Sequence, residues 1–209
     1  LNRELRVSMS NYKQNIDQYD VISFDVFDTL LARNVAAPVD VFTITQELFN
    51  QKSNFTLQDD FRSLRIRAER NARLGKVSAD VTLDDIYDNL KLLRADYTDQ
   101  FIEGLKNAEL QAEAEVLVRG KAAELYDYAV KQGKKIAIVS DMYLPKEAIA
   151  GYLKQNGISH IGFFLVSCED HVSKASGTAF VALQEKFEGQ KVLHIGDNYH
   201  DDIVMARRY

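Results

Sequence analysis

The chain has 209 residues, of which 46% are hydrophobic and 27% charged, and its formal net charge is −5. This composition is typical of a soluble globular protein, and the negative charge argues against general binding to nucleic acid or anionic membranes. No apolar run approaches 18 residues, so no membrane span is expected. A single cysteine, Cys168, excludes a disulfide framework within the chain, and we expect a cytoplasmic protein.

Four short apolar runs predict strands of a parallel sheet. They are rich in Val, Ile and Phe without regular polar alternation, which is typical of strands buried on both faces: residues 20–25, 134–141, 161–167 and 191–197. Helical stretches at 145–157 and 176–189 alternate with the later runs. This order of elements predicts an α/β fold, a three-layer Rossmann-like parallel sheet.

The segment between the first two strands predicts helices and no strand. Four stretches show helical spacing, at 39–52, 59–73, 82–94 and 98–118, and Thr82 with Asp85 forms a candidate capping box. In the second stretch one face is apolar and is expected to pack inward: Phe61, Leu64, Ala68 and Ala72. We therefore predict an α/β core made of residues 1–33 and 120–209, with a helical cap inserted at 34–119.

Carboxylates follow several of the predicted strands at their carboxyl ends, where open parallel sheets bind ligands. Asp25 and Asp28 follow the first strand, Ser140 and Asp141 the second, and Asp197 the last, with Asp201 and Asp202 one turn later. Carboxylates gathered at one edge repel each other unless a cation neutralises them, and hard oxygen ligands suit Mg²⁺. Lys174 supplies a positive charge near the same edge.

These residues occur in four motifs that resemble the haloacid dehalogenase-like (HAD) superfamily of aspartate-nucleophile hydrolases: "FDVFDTLL", "IVSD", Lys174 and "GDNYHDDI". The resemblance implies phosphoryl transfer from a small phosphorylated metabolite through an aspartyl-phosphate on Asp25. It implies phosphate binding by Thr29, Ser140 and Lys174. It also implies a Mg²⁺ site formed by Asp25, the backbone carbonyl of Phe27, Asp197 and Asp202, with Asp201 as the alternative to Asp202.

The opening motif departs from the family pattern at the position of the general acid/base. Phosphatases of the family usually carry a second aspartate two residues after the nucleophile, whereas this chain has Phe27 there and Asp28 one residue later. Three interpretations remain open: Asp28 takes the catalytic role, a group from the cap replaces it, or Asp28 is structural. The dehalogenase branch of the family also has an aromatic residue at this position, but it lacks the metal acid that Asp197 supplies, so dehalogenation is disfavoured.

Other polar residues have simpler interpretations. His194 lies inside a predicted strand and is expected to pack in the core, His200 is expected to face water, and Cys168 is expected to be buried. The cap carries Arg62, Arg65, Arg70 and Arg73, which could bind an anionic substrate. The spacing of Glu69 from Arg65 and Arg73 instead favours a solvated, self-paired face.

The sequence therefore predicts a Mg²⁺-dependent HAD-like phosphatase. The alternative is a catalytically weak binding or regulatory domain of a longer polypeptide. The chain starts at Leu1 and ends within a helical pattern, so we expect a fragment with a further domain downstream. Openings of the "FDVFDTLL" type also resemble those of HAD-like domains appended to glycosyltransferases of polysaccharide synthesis.

Overall fold

A four-stranded parallel sheet lies at the centre of the computed structural model, which describes residues 12–53, 55–76 and 80–209. The strands of the chain are β1 (Val21–Phe24), β2 (Leu31–Arg33), β3 (Leu117–Arg119), β4 (Lys135–Ser140), β5 (Phe163–Val166) and β6 (Val192–Ile195). The sheet has the order β5-β4-β1-β6. In its register Phe24 lies opposite both Ile138 and Ile195, so the carboxyl ends of three strands meet at one edge.

Seven helices of two or more turns accompany these strands in the described part of the chain. They are α1 (Val41–Lys52), α2 (Phe61–Leu74), α3 (Leu83–Leu93), α4 (Asp99–Val116), α5 (Ala123–Lys131), α6 (Lys146–Gln155) and α7 (Thr178–Lys186). A π-helical segment, Tyr199–Met205, follows β6. None of the described helices is both long enough and apolar enough to cross a lipid bilayer.

Alternate residues of the sheet enter two separate apolar clusters, as expected for side chains that point to opposite faces. Ile22 and Phe24 of β1 pack in one cluster with residues of α5 and α6. Val21 of the same strand packs in the other with residues of α7. The sheet is thus covered by helices on both faces, which confirms the predicted α/β fold. Every residue of β6, which forms one edge of the sheet, is half-buried.

Helices α1 to α4 form the helical segment that the sequence predicts between the first two sheet strands. The capping box is present: the hydroxyl of Thr82 accepts from the backbone N–H of Asp85, and the Asp85 carboxylate accepts from the N–H of Thr82. In α2, Phe61, Ala68 and Ala72 are buried as predicted, whereas Leu64 is only half-buried.

A short antiparallel ribbon joins the helical segment to the sheet and is absent from the predicted elements. Strand β2 pairs with β3, with Leu31 opposite Arg119 and Arg33 opposite Leu117. Three-residue strands are too short to show a period, so the sequence pattern places β3 within the last predicted helix. Gly120 follows the ribbon where a Cβ atom would lie 2.3 Å from the carbonyl oxygen of Thr29. The returning chain therefore packs backbone to backbone against the loop after β1.

Candidate active site

Asp25 follows β1 at the carboxyl edge of the sheet and is almost fully buried. Its backbone N–H donates to the carbonyl of Ile195, which fixes the loop against β6. Burial raises the pKa of the Asp25 carboxyl to about 6, and the ion pair with Lys174 opposes this shift. The Lys174 Nζ atom donates to Asp25 Oδ1 over 2.7 Å. Asp25 is therefore a buried carboxylate that is mainly ionised at neutral pH.

Lys174 links two carboxylates of the site. Its Nζ atom also donates to Asp202 Oδ1 over 2.6 Å, and the side chain is nearly buried. Burial opposes the ammonium charge, but the charges of Asp25 and Asp202 outweigh it and raise the pKa of Lys174. The backbone N–H of Lys174 donates to the carboxylate of Asp141, the residue after β4. Asp141 thus holds the lysine loop against the sheet.

Asp202 is buried behind Lys174 and its position is fixed by several donors. His194 Nε2 lies 3.0 Å from Asp202 Oδ1, and the N–H of Asn198 donates to Asp202 Oδ2 over 3.0 Å. Burial opposes ionisation, but the hydrogen bond from His194 and the charge of Lys174 lower the pKa of Asp202. Gly196 makes this packing feasible, since a Cβ atom there would lie 2.2 Å from the carboxyl carbon of Asp202.

Three carboxylates meet at this edge of the sheet. Asp25, Asp197 and Asp202 each offer one oxygen atom, and these atoms lie within 4.8 Å of one another. Thr29 Oγ1 donates to Asp197 Oδ1 over 3.3 Å, which ties the loop after β1 to the loop after β6. Burial lowers the pKa of His194, so this ring is neutral at neutral pH and Lys174 is the cation bonded within the cluster. The cluster therefore carries excess negative charge.

This donor set fits a hard divalent cation such as Mg²⁺, which takes carboxylate oxygens as ligands. Ser140 supports a ligand site at the same edge. Its Oγ atom is buried and, within the described residues, has no hydrogen-bond partner. Buried polar groups are normally hydrogen-bonded, so an unpaired hydroxyl at the carboxyl end of a strand marks a position where an oxygen-rich ligand would be accommodated.

Phe27 and Asp28 occupy the turn after Asp25 and make no hydrogen bond to the carboxylate cluster within the described residues. The Phe27 ring lies beneath the guanidinium of Arg33, with 4.6 Å between the guanidinium carbon and the ring centroid. Asp28 is exposed and has a left-handed backbone with φ of 58°. Aspartate tolerates this conformation better than most residues.

The structure brings together most, but not all, of the predicted site residues. Lys174 donates to both Asp25 and Asp202, and Thr29 donates to Asp197. Asp201 lies outside the carboxylate cluster, because its carboxylate pairs with His200. Sequence reasoning missed the contribution of His194, whose ring joins Ser23 Oγ to Asp202. The sequence does place polar side chains, Ser23 and His194, within two predicted strands, and this pattern indicates a polar contact between them.

Within helix α2, the prediction of a solvated arginine face is wrong for Arg65. This side chain is completely buried and binds Glu109 through Nε at 2.7 Å and Nη2 at 2.8 Å. The other arginines of the face are at least partly exposed, and Arg73 pairs with Glu69 as predicted. The partner of Arg65 lies on another helix, 44 residues away, so the local pattern could not reveal it.

Solved structures with the same fold include hydrolases of two kinds. The HAD hydrolase YfnB from Bacillus subtilis, bound to magnesium, is 18% identical with a TM-score of 0.60, covering 91% of this chain and 85% of that chain. A predicted phosphoglycolate phosphatase from Haemophilus somnus is 17% identical with a TM-score of 0.51, covering 91% and 81%. A 2-haloacid dehalogenase from Pseudomonas syringae pv. tomato is 13% identical with a TM-score of 0.57, covering 91% and 83%.

At these identities the likeness establishes the fold and not the reaction. No curated protein matches the chain. Residues 19–209 match the family model described as hydrolase, haloacid dehalogenase-like hydrolase. The chain therefore belongs to the haloacid dehalogenase-like hydrolase family.

Proposed function

We propose that the protein is a Mg²⁺-dependent phosphohydrolase that acts on a small phosphorylated metabolite through an aspartyl-phosphate on Asp25. One observation carries this proposal: three carboxylates meet at the carboxyl edge of the sheet around a single lysine. Asp25 and Asp202 are buried, and buried carboxylates are costly unless cations or donors compensate their charge. The magnesium-bound neighbour and the phosphatase neighbour with the same fold support the proposal.

Asp25 is the proposed nucleophile. One of its oxygen atoms attacks the phosphorus, the bond to the leaving group breaks, and water later attacks the phosphorus to release phosphate and free Asp25. The ion pair with Lys174 helps to keep this carboxylate ionised and fixes its orientation. Lys174, Ser140 and Thr29 are proposed to hold the phosphate oxygens. Phosphoryl transfer depends mainly on such positioning and charge stabilisation.

The proposed Mg²⁺ ligands are Asp25, the backbone carbonyl of Phe27, Asp197 and Asp202. When bound, Mg²⁺ would supply the positive charge that the carboxylates and the transferring phosphoryl group require. Asp202 has a second role in this proposal, since its hydrogen bond to Lys174 sets the position of that ammonium group.

Asp28 is the proposed proton donor to the leaving group. Its side chain is exposed and accepts no hydrogen bond from the described residues, so it is available to a substrate. Residues 34–119 are proposed to act as a cap over the site, with the β2–β3 ribbon at its base. Caps of this kind exclude water from the reacting groups.

Phosphate release from a panel of sugar phosphates and nucleotides, with and without Mg²⁺, tests the proposal. We expect turnover only with Mg²⁺, and we expect Asp25→Asn to lower it by more than about 10³-fold because the nucleophile is lost. A thermal melt of the variant serves as the control for folding. Mg²⁺-independent turnover, or full activity in Asp25→Asn, would contradict the proposal.

A binding module is the second candidate, and the position of Phe27 favours it. This ring occupies the place of the usual acid/base, fixed beneath Arg33. Binding of Mg²⁺ and of inorganic phosphate without turnover of any ester would favour this candidate. In this second proposal, the chain belongs to a longer polypeptide that carries a further domain downstream, and it is associated with a glycosyltransferase.

A further inference from the structure

A cleft of about 640 Å³ lies between helix α2, the end of β2 and the loop that leaves β4. It includes Met142, two residues after Ser140, and Arg33, whose guanidinium covers the ring of Phe27, two residues after Asp25. The cleft therefore adjoins the loop after Ser140 directly, and it reaches the loop after Asp25 through the contact of Arg33 with Phe27.

The floor of the cleft is held by an ion pair and by a contact between an arginine and an aromatic ring. Arg33 donates to both oxygens of Glu113, with its Nε atom 3.0 Å from Oε2 and its Nη2 atom 3.0 Å from Oε1. Arg65 lies beneath Tyr143, with 4.9 Å between the guanidinium carbon and the ring centroid. Arg33, Glu113 and Tyr143 line the cleft, so its floor is preformed and needs little ordering when a ligand enters.

The walls of the cleft are mainly apolar. They include Val39 and Phe42 from one side and Ile66 and Leu74 from helix α2. Ile66 and Leu74 are 42% and 77% exposed, although apolar side chains of this size are usually buried. A leaving group with an apolar face would cover part of this surface.

One positive charge at the edge of the cleft has no partner in the described parts of the chain. Among the charged lining residues, Arg33 pairs with Glu113, and Arg73 pairs with Glu69. Arg70 lies on the same side of α2, is exposed, and forms no ion pair with a described residue. Arg70 is therefore the charged residue of the cleft that is available to bind an anion, as judged from the described residues.

We infer that the cleft binds a leaving group that combines an apolar face with an anionic substituent, and that Arg70 recognises that substituent. This inference names a substrate class for the proposed phosphohydrolase and rests on that proposed function. A carboxylate or a second phosphate satisfies the requirement, because guanidinium groups bind both with paired hydrogen bonds.

Binding of two non-hydrolysable probes, benzylphosphonate and 4-carboxybenzylphosphonate, tests the inference without requiring turnover. Affinities are measured by calorimetry in the presence of Mg²⁺ for the wild type, Arg70→Gln and Arg67→Gln. Arg67 is exposed on the same helix but does not line the cleft, so its variant is the matched control. The ratio of the two affinities within each protein isolates the contribution of the carboxylate.

We expect the wild type and Arg67→Gln to bind the carboxylated probe about tenfold more tightly, as for a hydrogen bond to a charged group, and Arg70→Gln to lose this preference. An equal ratio in all three proteins would overturn the inference. An Arg70-dependent preference without hydrolysis of any ester would support the inference and refute the proposed function. Hydrolysis of an ester without any preference for the carboxylated probe would support the proposed function and overturn the inference.

Discussion

In the described part of the chain, two clusters bring largely buried carboxylates and cations together, and they differ in charge balance. In the helical segment, Glu109 and Glu113 of α4 each bind one arginine, Arg65 and Arg33, through two nitrogen atoms. At the sheet edge, Lys174 binds both Asp25 and Asp202, and Asp197 lies beside them without a cationic partner in the described residues. The first cluster is neutral and the second is not.

Within the described residues, every buried side-chain nitrogen and oxygen of the helical cluster also has a hydrogen-bond partner. Tyr87 donates to Glu109 Oε2 over 2.8 Å, and the remaining Arg65 nitrogen lies 3.1 Å from Glu69. Burial opposes the charge of Arg65, but Glu109 raises its pKa. By contrast, the sheet-edge cluster leaves the buried hydroxyl of Ser140 without a partner in the described residues. The two clusters therefore differ in charge balance and in hydrogen-bond satisfaction, which is the difference we expect between a structural cluster and a ligand site.

Breaking the balanced cluster has the largest expected effect on stability. Arg65→Met leaves Glu109 buried without its cation, and we expect a loss of about 3–5 kcal/mol in the free energy of unfolding. Urea denaturation measures this value. The double variant Arg65→Met/Glu109→Leu should recover most of it, because no unpaired charge remains. Equal destabilisation of both variants would show that packing, not charge, accounts for the loss.

Removing the carboxylate of Asp28, which lies in the turn after Asp25, should lower the rate of hydrolysis and leave the free energy of unfolding unchanged. We expect Asp28→Asn to lower kcat by about 10²-fold or more, the usual contribution of a positioned acid/base. Steady-state kinetics on any ester found active gives the value. Asparagine also tolerates a left-handed backbone, so the turn is preserved. Unchanged kcat would make Asp28 a structural residue of the turn.

A change at the start of helix α3 should lower stability without changing the sheet-edge site. Thr82→Ala removes the hydroxyl that caps α3, and we expect a loss of about 1 kcal/mol in the free energy of unfolding. Thermal and urea denaturation measure the loss. Phosphate release per folded molecule should stay unchanged, since Thr82 is not among the residues of the sheet-edge site. A fall in kcat would instead show that loss of the α3 cap also changes the geometry of the sheet-edge site.

The sequence predicts the parallel sheet and the helical segment well, because both depend on patterns within one element. The apolar run at 134–141 and the Thr82–Asp85 capping box are local patterns, and each matches an observed element. The carboxylates at the sheet edge are also predictable, since parallel strands bring their carboxyl ends together. The buried position of Arg65 is not, because its partner Glu109 lies on another helix. The support of Asp202 by His194 likewise depends on the register of β1 with β6.

The claim that the unbalanced carboxylate cluster binds Mg²⁺ is tested most directly by calorimetric titration of the protein with Mg²⁺. Asp197→Asn removes one carboxylate from the cluster, whereas Asp201→Asn changes a neighbouring carboxylate that lies outside it and pairs with His200. We predict that the wild type and Asp201→Asn bind Mg²⁺ alike, and that Asp197→Asn binds at least about tenfold more weakly. Equal binding by all three proteins, or no binding by the wild type, would contradict the account.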